Sequence, residues 1–252
     1  MVDKLYEEMK IPAECNVGST IFKKLFYENG TMATSDKDMF TNDIEKIIWK
    51  YSFKKENLNI KPFKNEELDY EEIALIEVSL VKESKYKKIC EIIQKIIPYP
   101  LIIVLTHEEK VLINTAYKRI NKVDENKNTI DDFVYSNWIS IDNLKDNEVS
   151  FLNSIDIKKF SFINMYKFYC SFVEKLNLLN ASSITGDFEV LKNKDIEEVN
   201  ELNNQLEKLS CEIDKLKIDI NKEQHFNKKM DINIKIKKLE SKKNGIIENL
   251  NS

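Results

Sequence analysis

Arginine is all but missing from this sequence: Arg119 is the single example, set against thirty-eight lysines. One side chain alone can therefore present a planar, two-pronged donor, a geometry no lysine ammonium reproduces. Glycine and proline are scarce as well, at four each. Their shortage excludes turn-rich sandwiches and barrels and favours long elements. There is no Gly-rich phosphate loop and no Gly-x-Ser-x-Gly elbow. The two histidines, His107 and His225, lie far apart, without cysteine or a second histidine at ligand spacing, so no metal site and no cofactor are implied. Cys15, Cys90, Cys170 and Cys211 form no close pair and read as reduced core thiols. No run approaches the roughly 18 apolar residues that cross a bilayer, and Met1 to Ile11 does not resemble a signal peptide. The expectation is a cytoplasmic protein without a membrane partner.

What is present suits a packed core, with 42% hydrophobic residues, thirteen Phe and ten Tyr. A formal net charge of −4 gives no overall attraction to nucleic acid, so such a contact needs a local basic patch. From Ser35, with Asp38 completing a weak capping box, Phe40, Ile44, Ile47, Ile48 and Tyr51 recur at helical spacing and predict an amphipathic helix. Residues 54–69 read as a loop around Pro62. Residues 73–81 form the best strand, apolar on both faces and so central. Ser84 is placed as N-cap of a helix with the face Tyr86, Ile89, Cys90, Ile93 and Ile97, ended by Pro98. Leu101 to Leu105 and the alternating Val111, Ile113, Thr115 and Tyr117 predict a hairpin. With the preceding strand and crossover helix these make a βαββ unit, and a further strand is expected near Phe133 to Ile139. Ile97-Pro98-Tyr99-Pro100 reads as a rigid corner, a cis bond before Pro100 being the alternative.

Between Phe162 and Asn180 two apolar stripes predict a helix covered on both sides: Phe162, Tyr166, Tyr169, Val173 and Leu176 on one, Met165, Phe168, Phe172 and Leu179 on the other. One cover is the sheet; the other is either the N-terminal helices or a partner protein. Gly186 and Asp187 then read as a turn. Beyond it, Val199, Leu202, Leu206, Leu209, Ile213, Leu216 and Ile220 mark a coiled-coil seam, and Ile232, Ile236, Leu239, Ile246 and Leu250 a second one out of phase with it. Residues 195–224 hold nine acids and four lysines, residues 225–252 seven lysines and three acids. Opposite charge favours an antiparallel hairpin, with one unbroken helix containing a stammer as the alternative. The fold class expected is α+β: a small mixed β-sheet covered by helices over residues 1–190, followed by the hairpin over residues 191–252.

The polar candidates are Glu77, Arg119, Tyr117 and Glu71. Alternation places Glu77 with Leu75 and Ser79, and Arg119 with Tyr117 and Thr115, so a Glu77–Arg119 contact is expected if the two strands adjoin. A metal-dependent nuclease would use carboxylates such as Glu71, Glu72 and Glu77 on a central strand, but Ser79 occupies the place where such enzymes carry a lysine. Arg119 remains open to a structural or a ligand-binding role. The lysines of the last limb, Lys228 to Lys243, offer phosphate contacts or a solvated face.

Several segments together resemble one family: Lys24 to Asn29, Tyr70 to Val78, Ile97 to Leu101, Ala116 to Asn121, Trp138, Asn180-Ala181, Thr185 to Phe188, and Gln224, Phe226 and Asn227. Over nearly the whole chain they are similar to the bacterial domain-of-unknown-function 4391 family. The resemblance implies a cytoplasmic prokaryotic protein whose gene lies near helicases and DNA methyltransferases of restriction or phage-defence type. It assigns no activity and no catalytic residue. The function expected is a non-catalytic accessory subunit that binds proteins of such a system, the hairpin seam residues Leu202, Leu206, Leu209, Ile213 and Leu216 with Ile236 and Leu239 being the interaction element. The alternative is a protein acting on nucleic acid, as a DNA binder or a divergent nuclease.

Overall fold

The computed structural model describes residues 2–30, 32–121, 128–185, 188–191 and 196–251. The turn expected at Gly186 and Asp187 lies outside them. The elements are α1 (Val2–Met9), β1 (Asn16–Thr20), α2 (Lys23–Asn29), α3 (Thr34–Asp43), β2 (Ile44–Lys54), α4 (Lys55–Leu58), β3 (Phe63–Lys64), β4 (Asp69–Tyr70), β5 (Glu72–Leu80), α5 (Tyr86–Ile96), β6 (Leu101–His107), β7 (Lys110–Ile120), β8 (Asn128–Tyr135), β9 (Ile139–Ser140), α6 (Asp146–Ser154), α7 (Met165–Thr185), α8 (Phe188–Leu191), α9 (Ile196–Lys222) and α10 (Phe226–Asn251). They form two compact units, Met1–Leu176 and Asn177–Ser252. Among the described residues no helix is long and apolar enough to cross a membrane.

The first unit is built on a mixed sheet in the order β1-β2-β5-β6-β7-β8, with β9 beside β7. Among the described strands only β5 and β6 are parallel; α5 crosses between them, and β7 returns antiparallel to β6. That is the βαββ unit read from the sequence, and its apolar central strands explain why it was legible. Ala74, Ile76, Val78 and Leu80 of β5 pack with α2, α3 and α5 into one core layer. The alternate residues Ile73, Leu75 and Glu77 point to the opposite face. There Phe53 and Phe160 lie against Phe168 of α7, at centroid separations of 5.7 and 5.4 Å.

One expected helix is corrected. Residues from Ile44 onward do not continue α3 but form β2, an eleven-residue strand between β1 and β5. Its register slips twice, between Ile44 and Lys46 and between Trp49 and Tyr51. Each bulge adds a residue and reverses the alternation. Ile44 and Ile47 therefore share a face despite their spacing of three, and Ile48 and Tyr51 share the other. Two bulges thus reproduce a helical spacing in a strand whose β-branched and aromatic residues favour the sheet.

Three smaller corrections concern ends and loops. Residues 54–69 are not wholly irregular: α4 and the short β3–β4 ladder, Phe63 opposite Tyr70, lie within or at the edge of them. Ser84 does not cap α5; Lys85 does, in the left-handed region at φ 67° and without a side-chain bond. No peptide bond among the described residues is cis, so Ile97 to Pro100 is a trans corner.

In the second unit α9 and α10 lie side by side, separated by Glu223 to His225. Lys217 pairs with Glu240 at 3.4 Å and Lys243 donates to Ser210 at 2.9 Å, so later residues of α10 meet earlier residues of α9. Leu206, Leu209, Ile213 and Ile236 are buried, while Leu202, Leu216 and Leu239 are half-buried.

Candidate functional site

The four polar candidates do not converge. Glu77 sits on β5 and Arg119 on β7, and β6 runs between the two strands. The expected Glu77–Arg119 contact is therefore corrected: each has other partners. Glu77 accepts a hydrogen bond of 2.8 Å from the hydroxyl of Tyr6, on α1, and lies 3.5 Å from Nζ of Lys50, on β2. Burial first, and then the Glu77 charge, push the Tyr6 phenol well up, so it remains a donor. A lysine thus stands beside the β5 carboxylate, but from a neighbouring strand. Among the described residues no three His, Cys, Asp or Glu side chains group as a metal site requires.

Arg119 is bound to Asp131 of β8 through Nε and lies 3.5 Å from Glu67. Its side chain is 52% exposed, and surface pairs of this kind are worth about 0–1 kcal/mol. Tyr117 is half-buried and meets the ring of Tyr169 edge-on at 6.4 Å, while Glu71 is exposed. The Tyr6–Glu77 bond permits a direct test. Tyr6→Phe leaves the nearly buried carboxylate with Lys50 alone, and the urea midpoint should report a loss of about 1.5–3 kcal/mol, the usual value for a hydrogen bond to a charged group.

Two residues that sequence reasoning passed over hold the sheet where β6 and β7 part. The paired register ends at Ile102 opposite Thr115. Just beyond it the buried hydroxyl of Tyr169 takes the place of the ladder, accepting from the Ala116 N–H at 3.0 Å and offering its one hydrogen to the carbonyls of Leu101 and Ala116, both at 2.9 Å. Two residues further, Nζ of Lys118 donates to the carbonyls of Ile97 and Tyr99, each at 2.6 Å. Lys118 is 3% exposed, and burial holds its pKa well below the ordinary lysine value. The signal in the sequence was the lysine closing the inward row of Leu112, Asn114 and Ala116.

That tether fixes the corner after α5 and, with it, the wall of an open cleft. Leu25 and Phe26 of α2, Trp49 of β2, Ile76 of β5, and Ile97 and Tyr99 of the corner line an apolar space of about 370 Å³. Of the lining residues, Leu25 is 47% and Tyr99 39% exposed. The ring of Tyr99 lies 6.0 Å from that of Trp49. Pro98 and Tyr99 also border a second, polar cleft of about 560 Å³ carrying Glu66, Glu71 and Glu72. Such an apolar space suits large apolar groups.

A model of the family described as Domain of unknown function (DUF4391) matches residues 9–242. No curated protein and no solved structure matches the chain.

Proposed function

The chain belongs to the domain-of-unknown-function family DUF4391, and within it we propose that this protein is a cytoplasmic, non-catalytic interaction subunit that docks onto other proteins. The open cleft between α2 and the corner after α5 carries this reading. The side chains with chemical potential are engaged by neighbours: Glu77 by Tyr6 and Lys50, Arg119 by Asp131 and Glu67, Lys118 by two carbonyls. The apolar rim, by contrast, meets solvent, as docking sites do. Cys15, Cys90 and Cys170 are free, in keeping with a reducing compartment.

The partners best fitting the resemblance are helicases or DNA methyltransferases of a modification or defence system encoded beside this chain. Co-expression with such neighbours and affinity capture tests this. The expected result is a stable complex that Leu25→Asp abolishes; capture of none of them, or a complex indifferent to that change, contradicts the proposal.

One observation favours nucleic acid as a second reading. Lys235, Lys237, Lys238 and Lys242 of α10 are exposed and in no ion pair among the described residues. If they contact phosphates, DNA affinity falls steeply with added salt, by a slope of about −0.9 per phosphate neutralised on duplex DNA. No binding at low salt removes this reading.

A further inference from the structure

Two surfaces on this chain are uncovered, and their chemistries match. The apolar cleft continues through Pro98 and Tyr99 into the polar one, where Glu66 and Glu71 are exposed and in no ion pair among the described residues. On α10, Phe226, Met230 and Ile234 are 74%, 51% and 47% exposed. Their spacing of four lays them along one helix face, over a length of about 12 Å. The next position in that row is Lys238, with Lys237 beside it, both exposed. An apolar row ending in lysines is thus complementary in chemistry to a cleft that is apolar at one end and acidic at the other.

We infer that α10 of one copy docks in the cleft of a second copy. Phe226, Met230 and Ile234 lie against Leu25, Trp49 and Tyr99, and Lys237 and Lys238 reach towards Glu66 and Glu71. This is the helix-in-groove mode, read by anchors one turn apart. Charge selects the occupant: a wholly apolar segment leaves the acidic end unpaired, and an acidic one is repelled by it. Each copy carries both halves of the contact, and the inferred pair exchanges them reciprocally about a twofold axis. The inference rests on the reading of the cleft as a docking surface and adds what fills it.

Sedimentation equilibrium of the full chain tests it with two variants at exposed positions, Leu25→Asp in the cleft rim and Phe226→Asp on α10. The wild-type chain is expected at twice 29.7 kDa at micromolar concentration. Each variant alone should weaken association at least about thirty-fold, the loss typical of an interface anchor. Mixing them should restore association in part, because a mixed pair regains one intact contact of its two, α10 of the Leu25 variant in the cleft of the Phe226 variant. A wild-type mass of 29.7 kDa throughout overturns the inference. So does a dimer that survives Phe226→Asp. In either case loss of partner capture by Leu25→Asp still upholds the cleft as a docking surface, so the two ideas fail separately.

Discussion

Replacing Tyr169 by phenylalanine should lower the stability of the first unit by about 3 kcal/mol, although one oxygen atom is removed from a ring that stays in place. The reason is what that oxygen leaves behind. Ala116 N–H loses its acceptor, and the carbonyls of Leu101 and Ala116 lose their donor, inside a region from which Tyr169 is wholly excluded from solvent. A buried polar group without a partner costs about 1–3 kcal/mol, and here more than one is left. In a chain of this size a change of that order lowers the thermal midpoint by roughly 6–12 °C. Tyr117→Phe is the control, since that hydroxyl makes no hydrogen bond among the described residues; a change within about 0.5 kcal/mol is expected there. Equal effects from the two substitutions would mean that the hydroxyl of Tyr169 does not hold the strands.

Lys118 should make stability rise with pH, the opposite of what a paired lysine does. Its folded pKa is depressed by burial, whereas in the unfolded chain it titrates near the ordinary value of about 10.4. Between those two values the unfolded state binds the extra proton, so stability grows as pH rises and is lost as pH falls towards the folded pKa. One such group contributes at most about 1.4 kcal/mol per pH unit within the window. Burial also pushes the thiol of Cys90 and the phenol of Tyr6 up, and these groups act in the opposite sense once the unfolded chain begins to lose their protons. The difference between wild type and Lys118→Met isolates the lysine. Urea midpoints from neutral pH to about pH 9 should climb more steeply in the wild type than in the variant, which also loses the tether to Ile97 and Tyr99. Parallel profiles would show that Lys118 stays charged in the folded protein.

Lys118 bears on the cleft, because the corner it ties down at Ile97 and Tyr99 is one of the walls. How far this was legible in the sequence depended on distance along the chain. The unit from β5 to β7 was readable because its strands are apolar runs, and Pro98 ends the helix between them. The long α7 announced itself through two apolar stripes, of which Met165, Phe168, Tyr169, Phe172, Val173 and Leu176 are buried. β2 was hidden, since its two bulges replaced the strand period by one that imitates a helix. The pairing of Glu77 with Arg119 failed for a topological reason: β6 pairs with both β5 and β7, so the two strands never adjoin. The cleft was least visible of all. Its lining comes from Ile21 to Asn29, Trp49, Ala74, Ile76 and Ile96 to Tyr99, segments that no local pattern connects.

The most direct measurement of the central claim uses Trp49, which lines the cleft and reports on its solvent. The chain holds two tryptophans, and replacing Trp138 by phenylalanine leaves Trp49 as the sole tryptophan, excited selectively over the tyrosines at the red edge of absorption. If the cleft is a docking surface, emission should shift to shorter wavelength as protein concentration rises or a captured partner is added, and Leu25→Asp should abolish the shift. Emission that stays unchanged under both conditions would contradict the account.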